Sequence, residues 1–301
     1  MVRCLTVPPS ILLNWSRGQR DEALCLLEQW GDEPAFAPFY YTRAQLRSWG
    51  NKNDPLADLS KGQKMDRTWR GYFKMAVFLR EMHDYEKALE WARQGEEKFP
   101  QNHIIQFEYA RVLLYNRDYD QAIELLMDIT ILPHEGAQSG REVWRQACLL
   151  SALQRLEEGE YTGALARLEQ ARHWPENLGV GKPYKVDTRL EDFLQGYIFL
   201  QQKRDGAEPL LQQVVSYTKN KVKEFNVEYY IYILALEHLG KKEKAEALLN
   251  EWHKRSAQDR LADWVYHHYH KKGVYKEKLS FGGNTDFLLV EKISSIMDKI
   301  K

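Results

Sequence analysis

Three groups of residues have types and spacings that could do chemistry. His267, His268 and His270 fall in VYHHYHKK, and on a helix His267 and His270 share a face, as two ligands of a metal ion would. No carboxylate or cysteine beside them completes a coordination set, so surface histidines that bind metal only adventitiously are the plainer reading, and no metal or cofactor is expected. The stretch Gly179-Val180-Gly181-Lys182-Pro183 has the glycines and lysine of a phosphate loop. A working loop needs the longer GxxxxGK[ST] spacing between a strand and a helix, and here Pro183 follows the lysine, so the glycines read as a helix end and a loop. Glu96 with Glu97, and Glu157 with Glu158, are adjacent and point in different directions on a helix, which makes them solvated faces rather than an acid-base pair. Cys148 lies in an apolar helix and packs as a small hydrophobe. No catalytic residue can be singled out, and the chain reads as a non-enzyme.

Composition points the same way. The chain has 301 residues, 44% of them apolar and 29% charged, with a mean hydropathy of -0.60, which is enough apolar material for a folded, water-exposed protein. Lys and Arg number 43 and Asp and Glu also number 43, so there is no net field to draw nucleic acid or an acidic membrane. Cys4, Cys25 and Cys148 are too few and too scattered for a disulfide framework, which fits a reducing compartment. Pro8, Pro9 and Ser10 interrupt any leader-like apolar run, and no run approaches the roughly 20 residues that span a bilayer. As it stands the sequence reads as cytoplasmic, with no membrane partner.

The elements that would position any site come from a repeat. YFKMAVFLREMHDYEKALEWARQGEEKFP and FEYARVLLYNRDYDQAIELLMDITILP superimpose when shifted by 34 residues, bringing Ala76 onto Ala110, Asp84 onto Asp118, Tyr85 onto Tyr119 and Ala88 onto Ala122. Each copy reads as helix, polar turn, helix. Two antiparallel helices approach closely only where side chains are small, which is the part of the paired alanines, and the aspartate after the turn is placed to cap the second helix. The second-helix motif recurs around Ala23, Ala164, Ala207 and Ala245, giving about six repeats, with a degenerate second unit at 35–60. Longer spacings place inter-repeat loops at 131–140 and 173–187, and loops of this kind are where a uniform scaffold differs in function. Residues 284–301 have apolar residues at helical spacing, with Asn284 or Thr285 as candidate caps, and read as a C-terminal helix covering the exposed end of the stack. Residues 1–301 then form one array.

The 34-residue period, the alanine positions and Pro100 at the end of its unit resemble the tetratricopeptide repeat family. The resemblance implies an all-α fold, a right-handed superhelix of stacked antiparallel helix pairs with a C-terminal capping helix. It also implies binding along a concave face lined by first helices, which by repeat position places Arg70, Phe73, Val77, Arg80, Phe107, Arg111 and Tyr115 there. Aromatic and arginine residues dominate binding hot spots, although Phe73 and Phe107 are also the kind of residue that fills the space between repeats. Some family members grip a chaperone's C-terminal carboxylate with a clamp of lysines, asparagines and an arginine. Phe73, Val77 and Arg111 occupy the matching positions, so the clamp pattern is absent. WPENLGVGKPYKVDTRLEDFLQGYIFL, with PAFAPFYYTRAQL, looks like the repeat tail of large bacterial proteins that carry a domain of uncharacterised function ahead of the repeats. That likeness implies an accessory tail in a carbohydrate-using bacterium. The function expected is therefore a scaffold for a protein or peptide; an RNA-binding helical array, which charge balance disfavours, is the rival.

Overall fold

A computed structural model describes residues 9–29, 34–48, 55–133, 139–221, 226–255, 260–270 and 286–299. Asn284 and Thr285, Cys4, Pro8 and residues 134–138 of the first loop lie outside them. The described residues are helical, with no strand, and none of their helices is long and apolar enough to cross a membrane. The chain divides into two compact units, Met1–Ile129 and Thr130–Lys301.

The first unit holds four hairpins: α1 (Pro9–Ser16) with α2 (Arg20–Glu28), α3 (Ala37–Ser48) with α4 (Pro55–Met65), α5 (Trp69–Glu81) with α6 (Tyr85–Lys98), and α7 (His103–Tyr115) with α8 (Tyr119–Asp128). The second holds three, α9 (Ser139–Glu157) with α10 (Tyr161–Arg172), α11 (Arg189–Gln201) with α12 (Ala207–Lys221), and α13 (Val227–His238) with α14 (Lys242–Arg255). Then α15 (Arg260–Tyr269) packs on α14, and α16 (Asp286–Lys299) packs on α9 and α13. The segment read as degenerate, 35–60, thus carries a full hairpin that runs on to Met65.

The expected close approach of paired helices is present. Ala76, Ala88, Ala110 and Ala122 are wholly buried, as are Ala23, Ala164 and Ala245, each the fourth residue of a second helix. In α4 that fourth place is taken by Asp58, which is also buried and is held by Arg43 Nε and Nη2 at 2.9 and 2.6 Å and by Arg47 Nη1 at 2.8 Å. A buried carboxylate is tolerated only with such partners, so α3 must supply them. Ala207, the centre of another copy of the motif, is the first residue of α12 and is buried. One expectation is corrected: Asp118 makes no side-chain cap bond to α8, although Asp84 accepts one from the Lys87 amide at 3.4 Å.

The turn between paired helices has one recurring geometry. At the end of α5 the His83 amide donates to the Arg80 carbonyl and the Asp84 amide to the Leu79 carbonyl; Arg117 and Asp118 do the same after α7, and Gly240 with Lys241 after α13. This double bond pattern satisfies orphan carbonyls and requires a left-handed residue between helix and helix. Gly18, Gly159 and Gly240 fill it without strain, whereas His83, Arg117 and Lys203 adopt it at φ of 61°, 67° and 51°. An L side chain in that conformation costs about 1 to 2 kcal/mol, less what glycine loses in the unfolded chain. Exposed Arg117→Gly is therefore expected to raise stability by about 0.5 to 1 kcal/mol, seen as a higher urea midpoint with unchanged slope.

Candidate protein-binding face

The residues assigned to a concave face fall on α5 and α7, neighbouring first helices that pack on each other. Thr68 starts α5 by accepting the Arg70 amide, and Asn102 starts α7 by accepting those of Ile104 and Ile105. From Arg70, steps of three, seven and ten residues reach Phe73, Val77 and Arg80, so all four lie along one side of α5. Phe73 and Val77 are half-buried and Arg70 is exposed. The Arg70 guanidinium sits 4.6 Å from the Trp69 ring centre, and Trp69 meets Phe73 edge to face at 6.2 Å. On α7, Phe107, Arg111 and Tyr115 are half-buried, with the Arg111 guanidinium 4.9 Å over the Phe107 ring.

Arg80 departs from the expectation of a free groove arginine. It is buried, and its Nε donates to Glu108 Oε1 at 2.6 Å, while Arg111 Nη1 lies 3.3 Å from Glu108 Oε2. Burial alone would depress the Arg80 guanidinium; the Glu108 charge and hydrogen bond outweigh it and hold the group above its ordinary value. Arg80 also lies 5.8 Å from the Tyr115 ring, which stacks on Tyr85 at 4.9 Å. The structure therefore gathers Arg80, Phe107, Arg111 and Tyr115 around a carboxylate, while Arg70 and Phe73 gather around Trp69. Glu108 and Trp69 are not singled out by the sequence, and Tyr85 is read there only as a repeat position after the turn. A carboxylate inside the apolar run HIIQFEYARVLLY is the signal that Glu108 offers.

The other candidates resolve into structural contacts. The ring of His268 stacks on Trp264 at 4.7 Å, His270 lies 4.6 Å from Tyr266, and His267 approaches Asp263 at 3.8 Å. Among the described residues no group of three metal-ligating side chains could hold an ion. The glycine stretch closes a short 3-10 helix, Glu176–Leu178: Gly179 is left-handed at φ 66°, and a Cβ there would stand 2.5 Å from the Ile131 carbonyl oxygen. The Ile131 amide donates to the Asn177 carbonyl at 2.7 Å, and Trp174 Nε1 donates to the Val180 carbonyl at 2.7 Å. The loop around 173–187 is thus pinned to 131–133, with a depression of about 350 Å³ between them lined by Pro133, Trp174, Glu176, Val180 and Lys182. That lining pairs no nucleophile with a base. Beside it, Arg141 is buried with only its Nη2 bonded, to the Ala171 carbonyl at 2.5 Å, and burial with the nearby Arg145 charge pushes it down to about 10.

The class that the described helices define is all-α, built of successive helical hairpins. Among solved structures, PilF of Pseudomonas aeruginosa is similar at 11% identity and a TM-score of 0.46, over 79% of this chain and 97% of that one. A chain in the structure of Naa15/Naa10 bound to HypK-THB is similar at 14% identity and a TM-score of 0.39, over 95% of this chain and 41% of that one. No family model and no curated protein matches the sequence.

Proposed function

We propose that this protein is a non-catalytic scaffold that binds a protein or peptide on the α5–α7 face. The observation that carries the reading is that two adjacent first helices leave Phe73, Val77 and Phe107 only half-buried, bordered by the cations of Arg70 and Arg111, above a rigid ion-pair link. Aromatic side chains beside arginines are the composition of an interface centre. The rival RNA reading is disfavoured by the balance of 43 basic and 43 acidic residues, and Arg43, Arg47, Arg80, Arg145, Arg172 and Arg189 each face a carboxylate of the chain itself. Phosphate binding needs such groups free.

Arg70→Glu combined with Phe73→Ser leaves the Arg80–Glu108–Arg111 link intact. In affinity capture from the source cells, the wild-type chain should retain a partner that this variant retains at least tenfold less well, with equal helicity and melting. Equal retention by both proteins would move the binding surface off this face.

A further inference from the structure

The first helices of the second unit are covered where α5 and α7 are open. In α13 every residue from Tyr229 to Leu236 is buried, and in α9 every residue from Ala147 to Leu153. A helix buried on all sides needs more cover than its hairpin partner and one neighbour supply. Part of that cover is α16, which packs against both α9 and α13. The helix expected at the C-terminal end is present over Asp286–Lys299, but instead of covering the end of the stack it seats against the side of these first helices.

The seating has the form of helix recognition in a groove. Leu289, Ile293 and Ile296, at i, i+4 and i+7, are the apolar anchors and are buried to within 2% of full cover. Between them Ser294 is wholly buried, with its Oγ 3.2 Å from the Tyr230 hydroxyl on α13. Lys292 Nζ donates to Glu157 Oε2 at 2.6 Å, at the end of α9. The neighbouring Glu291 is exposed, so α16 presents one apolar and one charged side.

We propose that the side shared by α9 and α13 is a helix-binding groove that α16 occupies in cis, and that an amphipathic helix of the same chemistry is its exchangeable ligand. The ligand carries branched aliphatic residues at i, i+4 and i+7, a lysine or arginine immediately before the central one, and a small polar residue immediately after it. A tethered occupant acts at an effective concentration in the millimolar range, so a helix in trans enters by outcompeting α16 or after α16 is unseated. The inference shares with the proposed function only the premise that first-helix faces are where this chain takes ligands; Arg70 and Phe73 have no part in it.

The test uses the full-length chain and a fluorescent peptide of residues 284–301, followed by anisotropy. Full-length Leu289→Asp/Ile293→Asp should bind the peptide at least tenfold more tightly than the wild-type chain, whose groove is filled. A Lys292→Glu peptide should bind that variant more weakly, and adding Glu157→Lys to the variant should restore it. A variant that keeps its helicity and binds no peptide overturns the proposal. Should the variant fail to fold, hydrogen exchange on the wild-type chain decides: amides of α16 opening well before those of α9 and α13 support an exchangeable occupant, and joint exchange of all three helices overturns it. Arg70→Glu/Phe73→Ser should leave peptide binding unchanged, so failure at either site is read apart from failure at the other.

Discussion

Arg80→Ala should destabilise the first unit by about 3 to 5 kcal/mol, the cost of leaving a buried carboxylate without its partner. Glu108 is 1% accessible, and its Oε1 accepts from Arg80 at 2.6 Å. Arg111 cannot take over that oxygen from where it stands, since it approaches the other one, Oε2, at 3.3 Å and is 28% exposed through its side chain. Arg111→Ala should accordingly cost less, about 1 kcal/mol. Removing both charges with volume retained, as in Arg80→Met/Glu108→Leu, should return stability close to the wild type, because a buried pair gains little over well-packed apolar residues. Urea denaturation of the three proteins measures this order, and hydrogen exchange should place the Arg80→Ala loss in α5 and α7. An Arg80→Ala midpoint equal to the wild type would mean that water reaches Glu108.

The repeat was legible because its determinants are local. The alanines recur at a fixed distance from the turn, and the turn geometry depends on one residue five positions before them, which is glycine in front of Ala23, Ala164 and Ala245. His83 and Arg117 hide the same geometry behind ordinary side chains, since nothing in their types announces a positive φ. The unit at 35–60 reads as degenerate because DPLADLS is short for a second helix. The fourth place of α4 is held by Asp58 where α2, α6, α8, α10 and α14 have alanine, and what makes it acceptable is Arg43 and Arg47 on the preceding helix. Repeat position could assign Arg80 to a face, but it could not see that Glu108, on the next first helix, would claim it. Longer range hides more still. The apolar spacing of Leu289, Ile293 and Ile296 announced a helix that must bury one side, whereas its partner Glu157 lies 135 residues from Lys292. Periodicity gives the need for cover, and only packing gives the address.

The same physics sets the largest effect expected in the second unit. Glu191, wholly buried on α11, receives both Nε and Nη2 of Arg145 from α9 at 2.7 Å each. This forked geometry satisfies both carboxylate oxygens at once, and it joins the first helices of two successive hairpins. Burial alone would depress the Arg145 guanidinium; the hydrogen bonds and charge of Glu191 outweigh it and hold the group above its ordinary value. Arg145→Ala should cost about 3 to 5 kcal/mol. Arg145→Lys should recover only part of that, because a single ammonium cannot donate in the fork. Arg145→Met/Glu191→Leu should lie near the wild type, and the difference from the summed single variants gives the coupling directly. If Arg145→Lys matched the wild type in urea, charge alone would account for the link between α9 and α11. A deficit restored only by the double apolar replacement identifies the forked, water-excluded bond as what joins them.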